Sequence, residues 1–478
     1  MRSGGAGGAD DSVVASKSHK SRLAAQPSSA GCESALGSPR MDLAWISLAA
    51  LLLVMAVSCT STVNAGLLSI ALAWLLGVYA TLVAGKPLPI EKIVAGFSGD
   101  LFLTLVGVTL LFSLAHVNGT LERVAQIAVR GCRGNLGLIP LMIFGLSAVL
   151  SSVGAGNIAG TALIAPFAMT LAQRAKIPAF LMALMVAHGA LAGAVSPLAP
   201  AGIVAGERMR GDLQLTDFEI PLYLYNLAAN ASVGLAGYFL FGGWRLFGRS
   251  YHDEVPIGAV GNALRGVPAL ADVASAQAKS AGWTLANSAT VIVIGSLILG
   301  AICVDAKYLG LAAFAGAVVL IVLRAGDERK AIESIPWGVI LMVCGVTVLT
   351  SLLKETGGLD KSAELLQRVS TPRTVAGVSA LVSGVVSVYS STMGVVLPAM
   401  LPLVNKLQGV DKFAVACSIV VTGHLVDSSP LSTIGALCIA SAPDLERRQE
   451  LFNRLLVWGL SMAIVGAVGC HIYFGLLR

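Results

Sequence analysis

Long apolar runs dominate this sequence, and each is long enough to cross a lipid bilayer as a helix. A spanning helix needs about 17–25 mostly apolar residues. Only 12% of the 478 residues are charged, which is half of the roughly 25% that soluble domains carry. The sequence therefore predicts an all-α polytopic membrane protein embedded in the lipid bilayer. The uninterrupted runs lie at 42–58, 65–85, 101–117, 220–247, 283–304, 307–324, 337–353 and 454–476.

The polar residues argue against two other classes of protein. The formal charge of +6 belongs to loops and the N-terminal segment, without the clustered Lys/Arg stripe that follows a nucleic acid. The eight cysteines are scattered and form no C-x-x-C pair, so neither a zinc site nor a disulfide framework is expected. We expect no nucleic-acid partner and no resident cofactor.

Two segments stand apart from the apolar pattern. Residues 1–40 are rich in Gly, Ala and Ser and lack periodicity, so we predict a disordered N-terminal extension. Either Met41 is the natural start of the protein, or the preceding segment is a targeting stretch. Residues 248–282 are hydrophilic and predict a linker between two halves of the chain, 41–247 and 283–478.

These two halves carry an internal repeat. The stretch 103–125 aligns with 341–363 at a constant offset of 238 residues, and the triplet Gly-Val-Thr coincides in both. Ser113 then falls on Ser351, and a following acid–base pair is also matched. Chance similarity between two apolar helices explains shared Leu and Val, but it does not easily explain these glycine and polar matches.

Each half also contains one apolar stretch with a polar centre. The centre of 137–171 reads SSVGAGNIAG, and the centre of 374–406 reads SVYSSTMG. Non-helical backbone at membrane depth is tolerated only where protein buries it or where it lines a cavity, so both stretches predict re-entrant hairpins. A hairpin adds no crossing, which leaves five spans per half. Because an odd number turns the second half upside-down, the predicted fold is two inverted repeats of five spans, each with one re-entrant hairpin, as in secondary transporters.

A helix broken at Ser-Pro follows each hairpin. The broken spans are 178–205, which contains SPLAPAG, and 412–440, which contains SPLSTIG. Proline frees carbonyls around itself; with Ser and Asn oxygens these are hard ligands suited to Na⁺, while helix starts attract anions. We expect tips and breaks to meet near the bilayer midplane as one anion pocket flanked by two cation sites. The candidates are Ser151, Ser152, Gly154, Gly156, Asn157, Thr161, Ser196 and Pro197 in the first half, and Ser387, Ser390, Ser391, Thr392, Ser429 and Pro430 in the second.

Three ionisable residues lie deep in this region, and such groups inside a membrane are functional candidates by default. Asp427 precedes the second Ser-Pro pair by two residues, and it either binds a coupling cation, carries a proton or caps the broken helix. His188 and His424 precede the breaks at unequal distances. We interpret both histidines as structural hydrogen-bonding residues rather than proton carriers.

Four strings resemble one known family. The strings DLFLTLVGVTLLFSLAHVNGTLE, SSVGAGNIAG, HGALAGAVSPLAPAG and VDSSPLSTIGA are similar to the MatC-type dicarboxylate (malonate) carriers, relatives of the divalent anion/sodium symporters of the ion transporter superfamily. The resemblance covers about residues 42–476. It implies a multi-pass protein of the inner (plasma) membrane, elevator-type alternating access, and a homodimer with scaffold spans 42–85 and 283–324. It also implies that the first hairpin and the linker lie on the cytoplasmic side.

The same resemblance implies ligands for each part of the site. The first Na⁺ site would use Ser152, Gly156, Asn157 and the backbone of Val195 and Ser196. The second would use Ser390, Ser391 and the backbone of Ser428 and Ser429, with Asp427 as a further cation-binding candidate. Substrate would contact Asn157, Ser196, Ser391, Thr392, Ser429 and Pro430, and the tip and break pattern adds Thr161 and Pro197 to this set.

The second tip departs from the wider symporter group because it lacks the asparagine of a Ser-Asn-Thr motif. With Asp427 gained nearby, either Na⁺ or H⁺ is the expected coupling ion. We therefore expect a cation-coupled carrier of a small, malonate- or succinate-like dicarboxylate. A Na⁺/H⁺ antiporter or an inorganic oxyanion transporter of the same fold is the alternative. An intramembrane enzyme is disfavoured because no G-x-S-x-G elbow occurs and the Ser and His candidates come in both halves.

Overall fold

The computed structural model describes residues 43–61, 63–85, 88–121, 123, 124, 127, 135–247, 283–303, 308–442 and 445–477. The predicted extension 1–40 and the predicted linker 248–282 lie outside the described residues. Within the described ranges every regular element is a helix, which confirms the prediction of an all-α protein. Six helical stretches there are long and apolar enough to cross a membrane: Leu43–Thr60, Ala65–Leu82, Ile90–Val117, Leu138–Gln173, Trp337–Thr356 and Arg448–Leu477.

The helices are numbered along the described part of the chain. The first half contains α1 (Leu43–Thr60), α2 (Ala65–Leu82), α3 (Ile90–Ala95), α4 (Gly99–Val117), α5 (Leu138–Leu150), α6 (Gly156–Arg174), α7 (Ala179–Gly193), α8 (Pro200–Gly211) and α9 (Glu219–Leu240). The second half contains α10 (Leu285–Cys303), α11 (Leu309–Val322), α12 (Glu328–Glu333), α13 (Trp337–Thr356), α14 (Gly358–Arg368), α15 (Val375–Tyr389), α16 (Leu397–Val404), α17 (Lys412–Val426), α18 (Thr433–Ala440) and α19 (Leu445–Cys470). Short π-helical segments, Ser151–Ala155 and Thr392–Val396, precede α6 and α16.

Polar side chains begin several helices in otherwise apolar sequence. Asn64 Oδ1 accepts a hydrogen bond from Gly66 N at 2.9 Å at the start of α2. Asp411 Oδ1 accepts hydrogen bonds from Phe413 N at 2.9 Å and from Ala414 N at 3.2 Å at the start of α17. The first N–H groups of a helix have no partner inside it, and such caps satisfy them.

The sequence does not predict two short helices, α3 and α12. Each has six residues, and each lies just before a helix that carries a Gly-Val-Thr triplet, α4 or α13. Six residues form fewer than two helical turns, so their sequences give no periodic signal. Only the structure shows that α12 packs on α4 and that α3 packs on α13.

The two Gly-Val-Thr glycines allow backbones to approach closely between the halves. Gly107 of α4 lies against Gly310 of α11, and Gly345 of α13 lies against Gly66 of α2. A Cβ added to Gly345 would lie 2.5 Å from the Cα of Gly66, and one added to Gly310 would lie 2.5 Å from the Cα of Thr104. Small residues at such crossings gain van der Waals packing, which drives helix association in lipid.

The helices around the hairpins pack partly within their own half of the chain and partly on the other half. α5 packs on α7 and α7 on α9 in the first half, while α15 packs on α17 and α17 on α19 in the second. The returning leg of each hairpin then crosses to the other half, since α6 packs on α18 and α16 packs on α8. These contacts bring both hairpin tips and both Ser-Pro sequences into one contact network.

Candidate functional site

Both spans that contain Ser-Pro are interrupted. α7 ends at Gly193 and α17 ends at Val426, each four residues before the proline of its pair, Pro197 or Pro430. A proline ring clashes with the carbonyl of the residue four positions earlier, and this local clash accounts for both end points. We call the two non-helical gaps break 1 (194–199) and break 2 (427–432).

The two breaks share a backbone arrangement. A glycine of the following helix, Gly202 or Gly435, packs so closely on the serine carbonyl of its break that a Cβ there would collide with the oxygen. The preceding carbonyls, those of Val195 and Ser428, accept no hydrogen bond from any residue that the structure describes. Both residues are buried, and unwound backbone carbonyls of this kind are ligands for Na⁺ in transporters.

Tip 1, residues 151–157, lies against break 1 through backbone atoms. Gly154 has φ 126° and Gly156 has φ 76°, conformations that residues with side chains rarely adopt. A Cβ added to Gly154 would lie 3.2 Å from the carbonyl oxygen of Leu198, and one added to Gly156 would lie 2.9 Å from Cδ of Pro200. Glycine is therefore needed both for the turn and for contact with the break.

The first-half candidates differ in their hydrogen bonds. Ser152 Oγ donates to the Ala148 carbonyl at 2.7 Å and lies 3.0 Å from the hydroxyl of Tyr223 on α9. The hydroxyl of Thr161 is fully buried and has no hydrogen-bond partner among the described residues. Ser196 Oγ, in break 1, accepts only a long bond, 3.3 Å, from the backbone N–H of Leu198.

Tip 2, residues 390–394, contacts break 2 and its helix through side chains. The Thr392 hydroxyl lies 3.0 Å from the carbonyl oxygen of Gly423 in α17 and 2.9 Å from Ser387 Oγ. The same hydroxyl and the Thr392 N–H face the carboxyl group of Asp427, which is only 5% exposed. A carboxyl group and a hydroxyl therefore meet where α17 ends.

Asp427 lies at the C-terminal end of α17 and not at the first turn of α18. Its backbone N–H donates to the carbonyl of Gly423 at 3.2 Å, and its own carbonyl accepts a hydrogen bond from Ser432 Oγ. The Asp427 side chain does not cap α18, because Ser432 holds the N-cap position of that helix. Its carboxyl group is directed to tip 2 instead.

Ser390 and Ser391 of tip 2 connect it to its surroundings. Ser391 Oγ accepts a hydrogen bond from Gly394 N at 3.1 Å and so caps the segment that leads into α16. Ser390 Oγ lies 2.8 Å from Ser58 Oγ at the end of α1. Tip 2 is thus hydrogen-bonded to a helix of the opposite half, which sequence reasoning did not predict.

Both histidines are fully buried and bound within the protein. Nε2 of His188 accepts a hydrogen bond from the indole N–H of Trp458 at 2.8 Å. Nδ1 of His424 lies 2.8 Å from the Val420 carbonyl of its own helix. Neither ring lines the two cavities described next.

Two cavities reach the tips. The first, of about 560 Å³, is lined by Gly156, Asn157 and Pro200 together with side chains of α4 and α12. The second, of about 390 Å³, is lined by Ser390 and Ser391 together with the ends of α1, α2 and α13. The cavities share Pro336 and Val339 at the start of α13 as lining residues, so they form neighbouring arms around one helix end.

The other predicted ligands do not line either cavity. They lie in the breaks, in the tips or in the hairpin legs: Ser152, Thr161, Val195, Ser196, Pro197, Thr392, Asp427, Ser428, Ser429 and Pro430. Sequence reasoning in turn missed lining residues such as Thr109, Lys330 and Asn64. Thr109 belongs to the repeated Gly-Val-Thr triplet, which is a usable signal, whereas Lys330 gave none because it lies in the short helix α12.

Comparisons with known proteins identify a family that is similar to part of this chain. Residues 41–194 match the family model described as the N-terminus of the dicarboxylate carrier protein MatC. This segment is similar to the N-terminal part of that carrier family. The matched segment includes tip 1 and ends at the beginning of break 1.

Two relatives support the same class. An uncharacterized transporter of Mycobacterium tuberculosis and one of Mycobacterium bovis are each 24% identical to this chain over 318 residues, which is 62% of this chain and 67% of each relative. The family match and these relatives indicate a transporter rather than an enzyme, as the sequence predicts.

Proposed function

We propose that this protein carries a small dicarboxylate, malonate- or succinate-like, across the inner membrane by coupling to Na⁺ or H⁺. The observation that supports it most is the pairing of each hairpin tip with a helix break in which one backbone carbonyl, of Val195 or Ser428, accepts no hydrogen bond from a described residue. Both tips reach cavities that adjoin at the start of α13. The family matched by residues 41–194 is one of dicarboxylate carriers.

The chemistry of the two tips fits a cation together with an anion. Carbonyl and hydroxyl oxygens at the breaks are hard ligands for a small cation. The amide of Asn157 and the hydroxyl of Ser391 reach the cavities, where they can donate hydrogen bonds to carboxylate oxygens. A bound cation beside them would offset the charge of the dianion without a salt bridge in the membrane.

The proposed architecture is two inverted repeats, 41–247 and 283–478, joined by the linker. The exchanged contacts support it, because Gly107 and Gly345, which align in the repeat, each pack on a helix of the opposite half. We propose further that the hairpins move with α7 to α9 and α17 to α19 as an elevator against a scaffold. That scaffold would form the homodimer.

Uptake into proteoliposomes tests the proposal. We expect saturable uptake of labelled malonate or succinate that increases when a Na⁺ gradient, or a proton gradient, is imposed. Liposomes without protein and an excess of unlabelled monocarboxylate serve as controls. Failure to accumulate any C3–C5 dicarboxylate under either gradient would rule the function out.

A second candidate function, Na⁺/H⁺ antiport, is favoured by one observation. The buried carboxyl of Asp427 faces the Thr392 hydroxyl, and a carboxyl in the membrane interior is a typical exchange site for Na⁺ and H⁺. The antiport proposal predicts Na⁺ movement driven by a pH gradient in the absence of any dicarboxylate or oxyanion. Asp427→Asn would abolish that movement, whereas the dicarboxylate proposal predicts no Na⁺ flux without the organic anion.

A further inference from the structure

A chain of buried polar side chains runs from α19 to the end of α7. The indole N–H of Trp458 donates to Nε2 of His188 at 2.8 Å. Nδ1 of that ring lies 3.0 Å from Oδ1 of Asn230 on α9. His188 and Asn230 have no exposed surface, so water does not compete for these bonds.

The chain continues down α9 and ends on backbone carbonyls. Nδ2 of Asn230 donates to the backbone carbonyl of Asn226 at 3.1 Å and lies 3.2 Å from its Oδ1. Nδ2 of Asn226 then donates to the carbonyls of Leu191 at 2.8 Å and Ala192 at 3.2 Å. These carbonyls belong to the last turn of α7, where helix ends leave acceptors for side chains, and that of Leu191 also accepts from the backbone N–H of Ala194 at 3.2 Å.

The indole N–H of Trp458, the first member of the chain, fixes which atoms donate and which accept as far as Asn230. An indole N–H only donates, so Nε2 of His188 must be the acceptor and Nδ1 must carry the hydrogen. Asn230 therefore accepts with Oδ1 and donates with Nδ2. His188 is held as one neutral tautomer, since a proton on Nε2 would break the bond to Trp458. This arrangement gives the histidine no part in carrying a proton.

The chain of side chains ends on the last turn of α7, directly before break 1. Asn226 occupies the oxygens of Leu191 and Ala192, and the N–H of Gly202 occupies that of Ala194 at 3.2 Å. The carbonyl of Val195, next in sequence, accepts no hydrogen bond from the described residues. The carbonyls of Pro197 and Leu198 also accept none, so what the amide fixes is the last turn of α7, after which the Val195 carbonyl follows.

We propose that Trp458, His188, Asn230 and Asn226 are positioning residues that hold break 1 so that the Val195 carbonyl binds the coupling cation. The proposal rests on the proposed function and adds residues from α9 and α19 to its first cation site. Break 2 is held differently, because its helix end is met by the Thr392 hydroxyl of tip 2. Loss of the chain should therefore weaken one cation site and leave substrate contacts in place.

The test compares graded variants with a matched control. Asn226→Ala removes both N–H donors, Asn226→Ser restores one donor, and Trp458→Phe removes only the distant end of the chain. Tyr238→Phe is the control, because Tyr238 lies on the same helix α9 and its buried hydroxyl bonds two other carbonyls, Gly137 at 2.9 Å and Gly243 at 2.8 Å. The readouts are the Na⁺ concentration for half-maximal uptake and the Na⁺-dependent thermal stabilisation of purified protein.

We expect the half-saturating Na⁺ concentration to rise about tenfold in Asn226→Ala, because one net hydrogen bond corresponds to roughly that factor. The half-saturating Na⁺ concentration should rise about threefold in Asn226→Ser and about twofold in Trp458→Phe, since fewer bonds at the carbonyls are lost. Tyr238→Phe should keep the wild-type Na⁺ dependence. The half-saturating dicarboxylate concentration at saturating Na⁺ should stay within about twofold in all variants.

Unchanged Na⁺ dependence in Asn226→Ala would overturn the proposal, and so would an equal loss in Tyr238→Phe. A joint rise in the Na⁺ and dicarboxylate requirements would indicate general misfolding and would also contradict it. The thermal readout separates this inference from the proposed substrate. A wild-type protein that Na⁺ stabilises but that transports no dicarboxylate would refute the substrate, while weaker stabilisation of Asn226→Ala would still support the chain.

Discussion

Break 1 and break 2 have the same length and the same glycine-covered serine carbonyl, but different groups surround them. At break 1 the tip approaches through glycine backbone, and an amide of α9 holds the end of α7. At break 2 the tip supplies the Thr392 hydroxyl, and the carboxyl of Asp427 faces it. Breaks with equivalent backbones can therefore carry different side-chain chemistry. We interpret break 2 as the position that determines how cation binding is coupled to transport.

The largest effect is expected from replacing Asp427, because break 1 has no carboxyl group at the equivalent position. Asp427→Asn should lower cation-coupled uptake about 100-fold, since the proposed coupling cation would lose a carboxylate partner, and an interaction with a charged group contributes about 1.5–3 kcal/mol. The equivalent position in break 1 is Ala194, which offers no side-chain oxygen. Initial uptake rates at varied Na⁺ and pH provide the measurement.

Asp411→Asn is the matched control for that change. Asp411 caps the first turn of the same helix, α17, in an exposed position, and Asn is also a good N-cap. Uptake should remain within about twofold of wild type, because this carboxylate acts only as a cap. If Asp427→Asn keeps the wild-type cation dependence, then the difference between the two breaks does not explain coupling.

The next effect tests where the two breaks are alike. Gly202→Ala and Gly435→Ala should each lower the free energy of unfolding by about 2–3 kcal/mol, because the added methyl group collides with a backbone carbonyl. Gly211→Ala, at the end of α8, has open space around it and should be neutral. Thermal unfolding in detergent measures all three, and a tolerated Ala at only one break would show that the breaks differ in backbone as well.

The two hairpins offer a smaller and more specific comparison. Thr392→Val should lower uptake about tenfold, because it leaves the buried Gly423 carbonyl without its hydroxyl partner. Thr161→Val should stay near wild type, since the Thr161 hydroxyl has no partner among the residues described. Equal losses in the two variants would show that the Thr161 hydroxyl contacts a ligand during transport.

The smallest effect is expected where the two cavities differ in charge. Lys330 is the only Lys or Arg among the described residues that line either cavity, and it forms no ion pair with a described residue. Lys330→Gln should raise the half-saturating concentration of a dianion about threefold at low ionic strength, and high salt should remove the difference. Its neighbour Arg329 is the control, because it is exposed and paired with Glu333 at 3.1 Å, so Arg329→Gln should change little.

Much of the helical pattern could be predicted from the sequence, because its signals are local or repeated. The apolar lengths predict helices, and the Ser-Pro pairs predict where two of them stop. The Gly-Val-Thr match predicts that Gly107 and Gly345 play equivalent parts, but not that they meet Gly310 and Gly66. The short helices α3 and α12 gave no periodic signal and were not predicted.

The candidate site was predictable only in part, for the same reason. Ser and Asn at the tips were visible as polar residues within apolar sequence, and Asp427 as a charge in the same place. Asn226 and Trp458 looked like ordinary residues of apolar helices. Nothing in their neighbouring residues indicates which carbonyl or ring they bind.

The sequence by itself determined the long helices and the two break points, because those depend on sterics and hydrogen bonds within about four residues. The tertiary structure alone decided the partners of the buried polar groups. Asn226 binds a carbonyl 35 positions away, and Trp458 binds a ring 270 positions away. A buried donor must find an acceptor wherever packing brings one near, and that choice is made by the fold and not by the local chain.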